Sequence, residues 1–185
     1  LEGLHTFIFK KLREKCDLKI FLEVDEKLRR EFKIARDADE RGYKKKDILL
    51  NIKKRKSDEK KYIETQKAFS DVNIKLNGTK NYTKVKHNKR FIIEVISKDP
   101  TYFLKLSKML TKYSNVGFKI DYGVENKLFL NGQINSKNIV KIVEEMIKDY
   151  NDFFLEKAKW ASGAKGIVQL ITIIEIYQQI KKRTT

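Results

Sequence analysis

The sequence has one cysteine, one proline and eight glycines among its 185 residues. With Cys16 alone, an intramolecular disulfide is impossible, and zinc sites built from paired cysteines are excluded. No apolar run approaches the roughly 18 to 20 residues that a membrane span requires, and the N-terminus does not have the charged-then-apolar pattern of a signal peptide. We therefore expect a cytoplasmic protein with no membrane partner.

Acidic side chains are outnumbered by basic ones, 25 to 42, which gives a net charge of +17 at pH 7. A charge of this size attracts polyanions at low ionic strength. The densest basic stretch runs from Lys44 to Lys61 and is suited to contact the phosphates of a nucleic acid or of a small substrate. The alternative is a lysine-rich surface without a partner, because runs of charge usually mark a solvated face.

The spacing of apolar residues predicts a chain of helices and strands. Apolar side chains alternate from Leu18 to Val24, which is typical of a strand. Asp25 is expected to cap a helix that reaches Arg41 and ends at Gly42. The other predicted helices span 6–15, 46–55, 58–69, 101–113, 136–150 and 166–182, and the other predicted strands span 71–76, 90–97, 117–122 and 127–130.

A polar stretch from Asn77 to Asn81, which contains Gly78, indicates a boundary between two parts of the chain. Residues 1–77 are predicted to be α/β, and residues 78–185 are predicted to be a smaller α+β part. Because the sequence has no internal repeat and no low-complexity linker, we expect the second part to pack on the first.

The helix after Asp25 has two different faces when its residues are placed at 100° intervals. Leu28, Phe32 and Ala35 share one side and are expected to face the core. Seven charged residues of the helix fall within about 140° of one another on the other side; they are Arg29, Arg30, Lys33, Arg36, Asp37, Glu40 and Arg41.

This charged face has two interpretations. In the first, it is an exposed surface stabilised by ion pairs such as Lys33 with Asp37, each contributing about 0.2 to 0.5 kcal/mol. Alternatively, it is a phosphate clamp, in which a carboxylate among cations positions a metal or a hydroxyl group while the cations hold a phosphorylated substrate. The helix alone leaves both interpretations open.

Short motifs in the first half resemble phosphoribulokinases and uridine kinases. They are Glu2-Gly3-Leu4-His5, Leu12-Arg13, Asp17-Leu18-Lys19-Ile20-Phe21, Lys33-Ile34-Ala35-Arg36-Asp37 and Glu40-Arg41-Gly42. Further residues are similar to phosphoribulokinases in particular: Arg55-Lys56, Asp58, Tyr62-Ile63, Gln66-Lys67 and Asp71. Phosphoribulokinase is the closer match, because uridine kinases usually lack His5 and usually have arginine where this chain has Tyr43.

The resemblance is uneven along the chain. Asn131-Gly132-Gln133 and Ile167-Val168-Gln169-Leu170 are similar to the C-terminal region of the plant, cyanobacterial and archaeal phosphoribulokinases, whereas residues 77–130 show no resemblance. Thr6, Ser57 and Thr65 stand where phosphoribulokinases commonly have proline, so either the loops or the substrate differ.

The resemblance implies a P-loop kinase-like α/β sheet in residues 1–77 and an ATP-dependent reaction with Mg²⁺. It implies that Glu2 acts next to the metal of the nucleotide and that Asp37 is catalytic. Lys33, Arg36 and Arg41 match cations that bind substrate or phosphate groups, and His5 is a further candidate for substrate contact. We expect these cations to share a cleft with Glu2.

The chain lacks the Gly-x-x-x-x-Gly-Lys-Ser/Thr loop that cradles nucleotide phosphates. We therefore expect this loop, and the catalytic-base aspartate of the family, to precede Leu1, and we expect these residues alone to be inactive. The preferred reaction is the phosphorylation of ribulose 5-phosphate by ATP. The alternatives are a uridine kinase-like nucleoside kinase and a non-catalytic basic module that binds nucleic acid. The scarcity of aromatic residues in 44–61 argues against the basic module. A homo-oligomer is compatible with the sequence.

Overall fold

The computed structural model describes residues 1–78, 91–148, 150–156 and 158–184. The strands are β1 (Ile20–Val24), β2 (Val72–Gly78), β3 (Phe91–Ser97), β4 (Gly117–Tyr122) and β5 (Asn126–Asn131). The helices are α1 (Lys10–Arg13), α2 (Glu26–Asp39), α3 (Lys45–Tyr62), α4 (Phe103–Tyr113), α5 (Ser136–Met146), α6 (Tyr150–Phe153) and α7 (Gly163–Thr184). Short 3-10 helices span Glu64–Phe69 and Pro100–Tyr102.

The strands form one mixed sheet in the order β1-β2-β3-β5-β4. β1 and β2 are parallel, with Leu22 opposite Ile74, and the remaining neighbours are antiparallel. The mixed sheet with flanking helices confirms the predicted α/β fold. Because β2 pairs with β3, strands from both sides of residue 77 belong to the same sheet; the division into parts 1–77 and 78–185 stays a prediction.

The main core lies on one face of the sheet. Val72 and Ile74 of β2 and Val95 of β3 are fully buried there, as the alternation of a strand predicts. Helices α4, α5 and α7 cover this face through apolar side chains at helical spacing, such as Leu106, Ile142 and Leu170. Packing on this face holds the strands of the sheet together. The helices α2 and α3 form the connection between β1 and β2.

The predicted start of α2 is confirmed, whereas its end is two residues earlier than predicted, at Asp39 instead of Arg41. The side chain of Asp25 accepts hydrogen bonds from the backbone amides of Lys27 and Leu28 at 3.1 and 3.2 Å. Gly42 follows the helix with a φ of 67°, a backbone conformation that other residues rarely adopt. Leu28 is buried, but Ala35 is exposed, so the predicted burial of Ala35 is wrong. Spacing defines a helix face but not how far a covering element extends along it.

The prediction of two helices at 46–55 and 58–69 is also wrong. α3 runs without interruption from Lys45 to Tyr62, and a 3-10 helix follows it. The polar residues between 53 and 58 are exposed, and none is glycine or proline, so nothing there breaks the helix. The predicted helix at 6–15 is confined to α1, and the one at 136–150 ends at Met146. Within the described ranges, no helix is both long and apolar enough to cross a membrane.

Candidate active site

The C-terminal end of α2 carries a buried carboxylate held by two arginines. Asp37 is only 6% exposed, although it lies on the charged face of the helix. Its Oδ1 accepts hydrogen bonds from Arg36 Nε at 3.0 Å and from Arg41 Nη1 at 3.2 Å, and Arg36 Nη2 lies 2.9 Å from the same oxygen. All three contacts end on Oδ1. We call these three residues the Asp37 cluster.

The turn after α2 explains why a charged residue is buried here. The backbone amide of Gly42 donates to the carbonyl of Ala38 at 3.2 Å, and the amide of Tyr43 donates to the carbonyl of Asp37 at 3.0 Å. The chain therefore folds back over the last turn of the helix, and Arg41 is brought next to Asp37. The two arginine side chains remain about half exposed, so their guanidinium groups can still meet a ligand.

A cleft of about 680 Å³ lies between α2 and α3, next to the N-terminal segment. It is lined on the α2 side by residues at helical spacing, namely Glu26, Arg29, Arg30 and Lys33. Its apolar lining comes from Leu4, Leu49, Ile52, Tyr62 and Ile63, and its remaining polar lining from His5, Lys53, Arg55, Lys56, Asp58 and Glu59. Clefts of this size accommodate small organic ligands.

Two ion pairs connect the helices beside this cleft. Lys56 of α3 contacts Glu26 of α2 at 2.7 Å, and Arg29 of α2 pairs with Glu59 of α3. The hydrogen bond from Lys56, followed by its positive charge, lowers the pKa of Glu26. The pairs neutralise two of the cations and two of the three carboxylates in the cleft lining.

Four cations of the lining make no ion pair or side-chain hydrogen bond with the described part of the chain. They are Arg30, Lys33, Lys53 and Arg55. Arg30 and Lys33 lie on α2, and Lys53 and Arg55 lie on α3, so the positive charges come from both walls. Cations from two sides suit a phosphate, which presents several oxygens to donors around it.

The structure brings the predicted site residues together in two groups. His5 and Lys33 line the cleft. Arg36, Asp37 and Arg41 form the Asp37 cluster, and Asp37 follows Lys33 by four residues, so the two groups are adjacent along α2. Glu2 is exposed in the N-terminal turn and is not among the cleft-lining residues.

Comparisons with known proteins identify a family that is similar to this region. The sequence model of the Phosphoribulokinase / Uridine kinase family matches residues 1–83, which include the whole cleft and the Asp37 cluster. These residues, which are fewer than half of the chain, are similar to that family. The predicted resemblance is thereby confirmed for residues 1–83, where most of the quoted motifs lie.

Several phosphoribulokinases are similar to this chain. The phosphoribulokinase of Synechocystis sp. is 28% identical over 80% of this chain and 48% of its own length. The chloroplastic enzyme of Chlamydomonas reinhardtii is 28% identical over 99% of this chain and 58% of its own length. That of Spinacia oleracea is 32% identical over 56% of this chain and 26% of its own length. The chain thus spans about half the length of the first two relatives.

The Chlamydomonas alignment adds to what the motifs indicated. Because it covers 99% of the chain, it includes residues 77–130, where the motifs showed no resemblance to phosphoribulokinases. Relatives of this family therefore match both the α2–α3 region and the strands that follow it.

Sequence reasoning missed part of the cleft. Arg30 was recognised on the charged face but was given no role, and Lys53 and Arg55 were treated as part of a general basic stretch. A signal was available for α3: Leu49, Ile52 and Lys53 recur at helical spacing and therefore share a face. What the spacing did not reveal is that this face lies opposite the charged face of α2.

Side chains that could hold a metal ion are not grouped in the described part of this region. In the described ranges, no group of three or more His, Cys, Asp or Glu side chains is placed to hold a metal ion. Mg²⁺ in phosphotransferases is commonly held by one or two carboxylates together with the substrate phosphates. Glu2, which is exposed, is the carboxylate that the resemblance assigns to such a metal.

Proposed function

We propose that this chain belongs to an ATP-dependent phosphotransferase and holds its phosphorylated acceptor, with ribulose 5-phosphate as the preferred acceptor. One observation carries the proposal. In a segment that matches the family, a buried carboxylate bound by two arginines lies next to a cleft that is lined by unpaired cations. Glu2 and Asp37 are assigned to catalysis. Lys33, Arg36, Arg41 and His5 are assigned to substrate and phosphate binding.

The chemistry of phosphoryl transfer supports these roles. Negative charge has to be neutralised both on the transferred phosphoryl group and on the phosphate of the acceptor. The half-exposed guanidinium groups of Arg36 and Arg41 can each donate two hydrogen bonds to phosphate oxygens. Asp37 fixes both guanidinium groups through Oδ1, so they are oriented before a substrate arrives.

ATP and Mg²⁺ enter the proposal through the family. When bound, Mg²⁺ neutralises charge on the nucleotide phosphates, and Glu2 is the residue that we assign to it. We propose that these residues alone do not phosphorylate a substrate, since the sequence has no phosphate-cradling loop. A cytoplasmic location belongs to the same proposal, supported by the single cysteine.

The test is an assay of ADP release by the complete native polypeptide, with ribulose 5-phosphate and uridine as separate acceptors. We expect turnover with ribulose 5-phosphate, and at least a hundredfold loss of kcat in Asp37→Asn. Turnover with uridine alone would mean that the protein is a kinase with a different acceptor. Turnover with neither acceptor would refute the proposal. Lys33→Met should raise KM for the acceptor more than it lowers kcat, because Lys33 is assigned to binding.

A nucleic-acid function is the competing outcome, and the exposed lysines of α3 are the observation that favours it. That function predicts binding of duplex or single-stranded nucleic acid that weakens steeply with salt and is unaffected by Asp37→Asn. Only Tyr43 and Tyr62 flank the basic helix as exposed aromatic residues, so stacking on bases has little support. Filter binding at several salt concentrations, with the unmodified chain and with Asp37→Asn, separates the two functions.

A further inference from the structure

Gln66 is a buried amide that joins distant parts of the chain. It lies in the 3-10 helix after α3 and is 3% exposed. Its Oε1 accepts a hydrogen bond from the backbone amide of Phe7 at 2.8 Å. Its Nε2 donates to the carbonyl of Leu4 at 2.8 Å and to the carbonyl of Tyr62 at 2.6 Å. One side chain thus satisfies three backbone groups.

A second side chain holds the same N-terminal segment. Arg13 Nη1 donates to the carbonyls of Phe7 and Ile8 at 2.6 and 2.8 Å. Its guanidinium group stacks on the ring of Phe69, 3.9 Å from the ring centroid. Phe69 ends the 3-10 helix that contains Gln66, so both anchors attach the segment to one short helix.

The segment from Leu4 to Ile8 depends on such anchors. It lies in a turn that precedes α1, and its residues Leu4 and His5 are exposed. His5 lies between the two backbone groups that Gln66 binds, the carbonyl of Leu4 and the amide of Phe7. The side chain that fixes the backbone on both sides of a residue also fixes the direction of that residue.

Gln66 also connects the two sides of the cleft. Leu4 and His5 line one side, and Tyr62 and Ile63 line another. The amide of Gln66 binds the carbonyls of Leu4 and Tyr62 together, so it sets their separation. Only a side chain with both an acceptor and a two-proton donor makes all three bonds, which glutamine does and an ionised glutamate does not.

We propose that Gln66 is a positioning residue, which holds His5 at the edge of the α2–α3 cleft and thereby determines the affinity of the cleft for a phosphorylated sugar. The proposal rests on the proposed function for the role of His5 in substrate binding. The placement of His5 by Gln66 is a separate claim that does not need a substrate.

The test compares Gln66→Glu with a matched control, Thr65→Val, in the full chain. Glu keeps the size of the side chain and its acceptor for Phe7, but it loses both donated bonds when ionised and at least one of them when protonated. Thr65 lies in the same 3-10 helix as Gln66, and Thr65→Val removes its exposed hydrogen bond to the carbonyl of Lys61. NMR measures the ring signals of His5, assigned with His5→Ala, and a titration with ribulose 5-phosphate measures affinity.

We expect Gln66→Glu to move the His5 ring signals towards those of an unstructured peptide and to weaken ribulose 5-phosphate binding at least tenfold. Thr65→Val should leave both within twofold. In the His5→Ala background, Gln66→Glu should add less than a twofold loss of affinity, because Gln66 acts through His5. A Gln66→Glu variant that only unfolds more easily, with unchanged His5 signals and affinity, would show a purely structural role and overturn the proposal.

Two outcomes separate this inference from the proposed function. If the unmodified chain does not bind ribulose 5-phosphate, the acceptor assignment fails, while the His5 signals still decide whether Gln66 positions that residue. If Gln66→Glu does not fold, hydrogen exchange in the unmodified chain tests whether Gln66 holds the segment around His5. The Phe7 amide should exchange at least a hundredfold more slowly than in an unstructured peptide, and exchange at the peptide rate would overturn the proposal.

Discussion

Replacing Asp37 with asparagine should separate its two effects on the arginines. The carboxylate neutralises part of the positive charge of Arg36 and Arg41 and also fixes their orientation. Asparagine keeps an oxygen that accepts hydrogen bonds but removes the negative charge. We therefore expect a small loss of stability together with tighter binding of a simple anion, although turnover in the complete polypeptide is lost.

The expected magnitudes come from exposure and distance. Side-chain exposures of 49% for Arg36 and 53% for Arg41 place both pairs in the range of surface ion pairs, about 0.2 to 1 kcal/mol each. The free energy of unfolding should fall by about 0.4 to 2 kcal/mol. Removing one negative charge about 6 Å from a bound phosphate gains about 0.7 kcal/mol per phosphate charge in water-like surroundings, which corresponds to roughly threefold tighter binding per charge.

Urea denaturation and a titration with inorganic phosphate measure these two quantities. Asp39→Asn is the matched control, because Asp39 is exposed on another face of the same helix and its loss changes the net charge equally. Equal gains in phosphate affinity for the two variants would mean that only net charge matters. Weaker phosphate binding in Asp37→Asn would refute the expectation that the removed negative charge matters more for anion binding than the lost orientation of the arginines.

Packing and titration give three more measurable outcomes. Gly166→Ala places a Cβ 2.1 Å from the carbonyl oxygen of Ala161, so urea denaturation should show a loss of about 1 to 3 kcal/mol instead of the usual gain in a helix. The pKa values of Glu23 and Asp71 are both lowered, because hydrogen bonds from lysines together outweigh the opposite effect of partial burial. Stability measured by urea should therefore decline as the pH falls below their ordinary values of 4.5 and 3.8. Burial raises the pKa of Glu175, so its stabilising contribution declines as the pH rises from 4.5 through that raised value. Glu175→Gln should therefore increase the melting temperature near neutral pH.

Local features of the fold could be predicted from the sequence because their causes are local. Asp25 caps α2 through amides two and three residues away, and Gly42 ends the turn through its own backbone conformation. The alternation from Leu18 onward marked β1 for the same reason. The Arg36-Asp37 and Arg41 motif likewise brings its members together within one turn of helix.

The cleft and its support could not be predicted, because they depend on contacts between distant residues. Gln66 was recognised as part of a motif, but Phe7, which it binds, is 59 positions away. The cations of α3 became part of a site only because α3 is one continuous helix that folds back along α2. No period within 44–61 indicates which of its faces meets another helix.

The helix pair formed by α2 and α3 is closed in different ways at its two ends. Near Gly42 it is closed by the backbone, and beside the cleft it is closed by the pairs Lys56–Glu26 and Arg29–Glu59. Ions in the buffer weaken only the second closure. Added salt should therefore weaken the contact between the two helices beside the cleft, while the turn at Gly42 is unaffected.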